Sequence, residues 1–292
     1  MRLITDWFAR TYPQVPVVRW PSIRRRYARS LLIPKDMRDA DVNEIADRVA
    51  AAQFDALEVL CAATPKGWYA ERGTARAALT YADVATLNMV SDTTLAPDLL
   101  SLDELATEVS GRVPLWSIVI RGVAGDEIAD LAARHGLVER SDLPMLACAA
   151  ADVVFTADEA QRKLVRRVGA AESDLYAATL AEGFEAPVDA FGTLMGGGVL
   201  DDDAIAGYLA EEPGHPAGTG LGVRTAGVVG VFNIAVAPTA RGRGLGRAIT
   251  EVVVRDGFAA GADAAYLQSS EMGRPLYESM GFRLVETWTV FQ

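Results

Sequence analysis

The chain has 292 residues, half of them hydrophobic and 23% charged, a balance that suits a soluble globular protein of two domains of about 150 residues each. Its formal net charge of −11 argues against a nucleic-acid partner, because phosphate binding needs a basic surface, and fits a cationic acceptor such as an amine. Two cysteines allow at most one bridge and are expected as buried thiols of a cytoplasmic protein, and two histidines make a catalytic imidazole-metal site improbable, so no metal is expected.

The first residues, Met1 to Asp6, lack a basic stretch leading into an apolar core and are read as carrying no signal peptide. Arg24-Arg25-Arg26, with Arg29 behind, is read as a solvated helix face. Residues 41–54 carry apolar positions at Val42, Ile45, Ala46, Val49 and Ala50, the period of a helix. Residues 84–90 read as a strand. Ser101 and Glu104 have capping-box spacing at a helix start. A buried strand is expected over 115–120, a helix over 126–135 stopped by Gly136, and another strand over 143–149. No apolar run reaches the roughly eighteen uncharged residues of a membrane span; the longest candidate, 145–155, contains Asp152. In the second half, Thr156 and Glu159 repeat the capping spacing at a helix expected over 156–166, and a further helix is expected over 173–183. After Met195-Gly196-Gly197-Gly198 the pattern becomes strands over 204–210, 217–224 and 228–236, a helix over 246–256, a strand over 264–268, a helix over 274–280 and a last strand over 282–291. Residues 131–137 align with residues 276–282, each copy flanked by strands, which predicts two related halves with a boundary near 150–156.

One stretch carries chemistry. The strand Val231-Phe232-Asn233-Ile234-Ala235-Val236 runs through Ala237-Pro238-Thr239-Ala240 into Arg241-Gly242-Arg243-Gly244-Leu245-Gly246-Arg247, which opens a helix. Amides at a helix start have no intrahelical partner, glycines allow close approach, and the arginines add positive charge, so the turn suits a pyrophosphate. A P-loop would need Lys-Ser/Thr after Gly246, where Arg247-Ala248 stand. The dinucleotide fingerprint fails on glycine spacing, and Tyr266 and Leu267 stand where its acidic residue should fall.

Arg241-x-x-Gly244-x-Gly246 after a Val-Ala-Pro strand end resembles motif A of the GNAT superfamily of N-acyltransferases. The stretch from Leu267 to Phe282, with Tyr277 on a helix ahead of Gly281-Phe282, resembles that family's second block. The two blocks cover about 65 residues, the fold they imply extends back to about Leu164, and the first half matches only weakly. The resemblance implies an α/β (α+β) fold of tandem GNAT-like lobes, each a mixed, mostly antiparallel twisted sheet flanked by helices. It places a degenerate GNAT-like domain at 1–152, with Ala132 where Tyr277 stands, and the N-acyltransferase domain at 153–292. It further implies acyl-CoA, with acetyl-CoA the expected donor, as co-substrate. The amides of Ile234, Ala235 and Val236 would pair with the pantetheine arm. Arg241, Gly242, Arg243, Gly244, Leu245 and Gly246 would hold the pyrophosphate, and Ser269 belongs to the same cofactor set. Tyr277 would act as general acid toward the departing thiolate. Many members carry a glutamate where this chain has Asn233, so the base is open among Glu182, Glu271, Asp201 to Asp203 and a water wire; His215 is read as solvated. The partners expected are a small-molecule amine, no nucleic acid and no membrane, with a homodimer left open. A non-catalytic acyl-CoA-binding protein, or another acyl-CoA reaction such as decarboxylation, stands as the alternative.

Overall fold

The computed structural model describes residues 39–292, with side chains from residue 43 onward. The basic run at Arg24 to Arg26 and the amino-terminal residues read for a leader lie outside the described residues. Element labels below number the described α-helices and strands in chain order.

Helix α1 (Asp39–Ala63) is longer than its sequence period suggested. Val49, Ala50, Phe54, Leu57, Leu60 and Cys61 recur every three or four residues and are all buried. At 1.5 Å per residue the helix is about 38 Å long, enough to cross most of the protein. It is followed by β1 (Trp68–Arg72), β2 (Ala75–Leu79), β3 (Asn88–Asp92), α2 (Leu99–Ser110), β4 (Ser117–Ile120), α3 (Asp126–Arg134) and β5 (Arg140–Ala149). The second half contains α4 (Glu159–Arg162), β6 (Val165–Val168), α5 (Ser173–Gly183), α6 (Gly192–Met195), β7 (Ile205–Glu212), β8 (His215–Thr225) and β9 (Val228–Val236). It ends with α7 (Leu245–Ala259), β10 (Ala264–Gln268), α8 (Arg274–Ser279) and β11 (Arg283–Phe291).

All the described strands form one sheet in the order β1-β2-β3-β4-β11-β5-β10-β9-β8-β7-β6. The fold is thus mixed and mostly antiparallel, as expected, but the two halves do not keep separate sheets. β5, from the first half, lies between β10 and β11 of the second. β11, in turn, lies between β4 and β5. The element sequence β1-β2-β3-α2-β4-α3-β5 is repeated by β7-β8-β9-α7-β10-α8-β11. The pairings repeat as well: β3 with β4 and β9 with β10 are parallel, and the rest are antiparallel. Both α3 and α8 stop on a left-handed glycine, Gly136 (φ 81°) and Gly281 (φ 95°). The next amide folds back identically, from Leu137 to the Ala132 carbonyl at 3.0 Å and from Phe282 to that of Tyr277 at 3.1 Å. The segments aligned in the sequence therefore occupy equivalent places.

Helices α2 and α3 cover the first half of one sheet face through Leu102, Leu105, Val109, Ile128 and Leu131, against Val90, Ile118 and Ile120. α7 sets Ile249, Val253 and Val254 against Val229 and Val231. On the opposite face α1 bridges the halves. Phe54 stacks on Trp288 of β11 at 5.7 Å, and Ala56 and Leu60 join the cluster of Tyr176, Leu221 and Ala235. Arg121, after β4, is buried between Asp47 of α1 (2.7 Å) and Glu286 of β11 (3.1 Å). Among the described residues no helix is long and apolar enough to cross a membrane.

Two expected helix caps are displaced. Asp98, not Ser101, accepts from the first amides of α2, and the Ser101 hydroxyl donates to Asp98 at 2.7 Å. Asp158, not Thr156, caps α4, and residues 165–168 form β6 rather than continuing a helix.

Candidate functional site

Strands β9 and β10 pair in parallel only at their beginnings: Val228 with Ala264, Val229 with Ala265, Gly230 with Tyr266. Beyond that point Leu267 and Gln268 pair with β5, while Val231, Phe232, Ala235 and Val236 pair with β8. The two strands therefore part toward their carboxyl ends, which is where open parallel sheets receive ligands. The fork begins beside Phe232 and Tyr266, whose rings meet edge to face at 5.9 Å.

The β9 side of the fork is irregular. Thr219 of β8 opposes Ala235 and Leu221 opposes Phe232, so one residue, Gly220, faces both Asn233 and Ile234. This is a β-bulge, with Asn233 in the left-handed region at φ 52°. Asparagine tolerates that region better than glutamate does, a physical reason for its presence here. Its side-chain amide donates toward the Met195 sulfur at 3.8 Å.

Past Val236 the chain turns through Pro238–Ala240 and reaches Gly242 (φ 77°) and Gly244 (φ 86°), the residue that caps α7. Both glycines are exposed, and a Cβ on either would touch nothing within 4 Å. Backbone conformation, not crowding, requires glycine here. No side chain caps α7, so its first amides have no side-chain partner and stand at the positive end of the helix dipole. The arginine side chains are turned back into the protein. Arg241 donates to the carbonyls of Val236 (3.1 Å) and Gly183 (2.8 Å). Arg243 grips Glu212 through two bonds of 2.8 and 2.9 Å, and Arg247 bonds Thr156 and Ser279. These contacts brace the loop.

Tyr277 projects from α8 into the cluster formed by Leu245 at the start of α7 and Leu267 of β10. Its ring meets Phe282 edge to face at 6.1 Å, and a Cβ on Gly273 would come within 3.0 Å of it. Tyr277 thus lies in the same apolar cluster as the start of α7 and the end of β10. Ser269 is buried at the end of β10. Its hydroxyl donates to the Ser270 carbonyl at 2.8 Å and its amide to that of Pro144 at 3.1 Å, so its polar groups hold the turn.

The carboxylates considered as bases separate. Asp201 and Asp202 accept from the amides of Ala170 and Ala204, both at 2.8 Å, just ahead of β7. Ile205 pairs with Val223 near the hairpin joining β8 to β9, so Asp201, Asp202 and Asp203 lie at the amino end of β9, away from the loop. Of the candidates left open for the base, these three thus lie away from the loop. Glu182 lies at the loop end with its carboxylate 3.5 Å from the His215 ring; both are exposed, so His215 is solvated as expected. Glu271 is exposed after β10.

The corresponding place in the first half is closed. β3 and β4 stay paired from Met89–Ser117 through Asp92–Ile120. Asp92 is fully buried and accepts from Thr74 and from the Thr94 hydroxyl, each at 2.7 Å. The Asp98 carboxylate occupies the α2 start, held below the usual carboxylate range by its bonds from Ser101. An open groove of about 400 Å³ beside α1, with Asp55, Glu58 and Tyr69 in its wall, is lined by α1, β1, β2, Thr93 and Arg121 and not by the fork.

Residues 202–284 match the family model described as the acetyltransferase (GNAT) domain. A GCN5-related N-acetyltransferase from Kribbella flavida is similar in structure, with TM-score 0.59 and 20% identity over 85% of this chain and 95% of its own. A GNAT-family acetyltransferase from Novosphingobium aromaticivorans gives TM-score 0.52 and 21% identity over 76% of this chain and 89% of its own. One from Sphaerobacter thermophilus gives TM-score 0.51 and 16% identity over 75% and 76%. At these identities the likeness is one of fold, and it reaches well beyond the matched domain. No curated protein matches the chain. The forked strands, the glycine turn and the family match agree: the chain carries a GNAT acetyltransferase domain at residues 202–284.

Proposed function

We propose that the protein is an acyl-CoA-dependent N-acyltransferase that moves an acetyl group to the primary amine of a small molecule. The observation that carries this is the fork between β9 and β10, opening onto an uncapped helix start behind two left-handed glycines. The amides of Ile234 and Val236 face away from β8 along one wall, as a neighbouring strand would need, while Ala235 pairs with Thr219; the amides of Arg241 to Gly246 suit a pyrophosphate. The first half, closed at the equivalent place, serves as a degenerate GNAT-like lobe that completes the sheet.

In this reading the amine nitrogen attacks the thioester carbonyl, the new C–N bond forms, and the C–S bond breaks. Tyr277 donates its phenolic proton to the departing thiolate. An alkyl amine with a pKa near 10.4 costs about 4–5 kcal/mol to deprotonate at pH 7. That proton leaves through water toward the rim, where Glu182 and His215 pair. The test is amine-dependent release of coenzyme A thiol from acetyl-CoA, with a panel of small amines, for wild type and Tyr277→Phe. Turnover in wild type that falls by about a hundredfold or more in the variant supports the reading, in the range for a lost general acid. Acetyl-CoA binding with no turnover on any amine favours a second reading, a non-catalytic acyl-CoA binder, for which Asn233 in place of a carboxylate is the motivating observation.

A further inference from the structure

The bulge in β9 interrupts the ladder at Gly220 and Asn233, and each of these carbonyls accepts a hydrogen bond from a side-chain hydroxyl. Thr219 of β8 reaches across to the Asn233 carbonyl at 2.8 Å. Tyr176 of α5 reaches the Gly220 carbonyl at 3.1 Å. Both side chains are fully buried. Burial pushes the Tyr176 phenol up, opposed by hydrogen bonding with the Asn233 and Thr219 side chains. α5, β8 and β9 are thus tied in series at the one point where β9 departs from regular pairing. Buried carbonyls at a bulge need partners from outside the ladder, and a bulge re-aims the residues that follow it. Here the residue after it is Ile234, whose amide faces away from β8 into the fork, followed by Ala235, which returns to the ladder opposite Thr219.

We infer that Tyr176 and Thr219 are positioning residues that hold the bulge of β9 and so set the direction of the Ile234 amide along the fork. The inference rests on the acyl-CoA reading for its ligand, though the brace itself is a property of the protein alone. The acyl end of the ligand lies deep in the fork and the pyrophosphate at the loop. Loss of the brace therefore affects recognition of the thioester more than of the rest of the cofactor.

The experiment compares wild type, Thr219→Val, Thr219→Ser and Tyr176→Phe by calorimetric titration with acetyl-CoA and, separately, with coenzyme A. Each variant is also followed by amide hydrogen exchange over residues 231–236. Thr219→Val and Tyr176→Phe are expected to weaken acetyl-CoA by about threefold to tenfold, the range for one neutral hydrogen bond, with coenzyme A changed by less than about twofold. Exchange at 233–235 quickens in both, and Thr219→Ser, which keeps the hydroxyl, restores both readouts. Equal weakening of the two ligands, or unchanged exchange at 233–235, overturns the inference and leaves the hydroxyls a purely structural role. If wild type binds neither ligand, the acyl-CoA reading fails, and the exchange data alone decide whether the brace exists.

Discussion

The two lobes repeat the same seven elements, yet they differ at the crossing from the third strand to the following helix. In the second lobe the parallel pair parts after Gly230, two glycines take left-handed backbone, and the helix start is uncapped. In the first lobe the pair stays closed through Asp92, and a carboxylate already sits where an anion would bind. Topology supplies the frame, while strand divergence, glycine conformation and the choice of cap decide whether the frame is a site. An acidic cap satisfies the same helix amides that a phosphate would, so the two are mutually exclusive at one position.

The comparison also shows that neither lobe is closed on its own, and this sets the largest expected effect. With β5 removed, β10 and β11 lose the strand between them, leaving the edges of Leu267 and Trp288 unpaired. The segment 153–292 expressed alone should therefore show no cooperative thermal transition by circular dichroism, whereas the described span 39–292 should. A sharp transition for the short segment would mean that the exchanged strand is dispensable.

Next in size is the loop. Gly244→Glu places a carboxylate and a strained residue at the α7 start and should weaken coenzyme A binding by at least about a hundredfold, as a charge conflict in a phosphate site does. Asp98→Asn at the equivalent position of the first lobe should leave that affinity unchanged and only lower the melting temperature. Equal effects of the two substitutions would erase the distinction between the lobes.

A smaller effect is expected at Gly257, inside α7. Helix propensity alone predicts that Gly257→Ala stabilises by about 0.5–1 kcal/mol. A Cβ there would meet Val229 at 2.7 Å, however, and overpacking costs about 1–3 kcal/mol, so the variant should be destabilised in denaturant unfolding. A stabilised variant would show that α7 does not pack this closely on β9.

The smallest effect is one of pH. Asp98 has its pKa lowered from 3.8, first by the Ser101 hydroxyl, so its cap contributes at neutral pH and is lost as the pH falls through the lowered value. Protection of the α2 amides should fall in acid before that of α7, whose cap is a glycine with no carboxylate to titrate. Simultaneous loss in both helices would assign the acid transition to the whole sheet.

The course from β9 through the loop to α8 was legible because its signals are local. Three glycines and three arginines lie between an apolar strand and an amphipathic helix, and Gly281 stops the last helix. β1 and β2 were not legible, since Trp-Tyr-Ala-Glu-Arg and Ala-Arg-Ala-Ala-Leu carry no clear alternation. The caps misled because Ser101 and Thr156 have the right spacing, but Asp98 and Asp158 nearby accept from the helix amides instead. The exchange of β5 and β11 depends on pairing between residues more than a hundred positions apart, which no local pattern encodes. The Thr219 bond to Asn233 spans only 14 residues, but it depends on the register of the β8–β9 hairpin and its bulge, which the sequence pattern did not show.

The most direct test of the two-lobe account is the stoichiometry of coenzyme A binding by calorimetry, on wild type, Gly244→Glu and Asp98→Asn. The account predicts one site per chain, abolished by the first substitution and untouched by the second. Two sites per chain, or binding that survives Gly244→Glu, would contradict it.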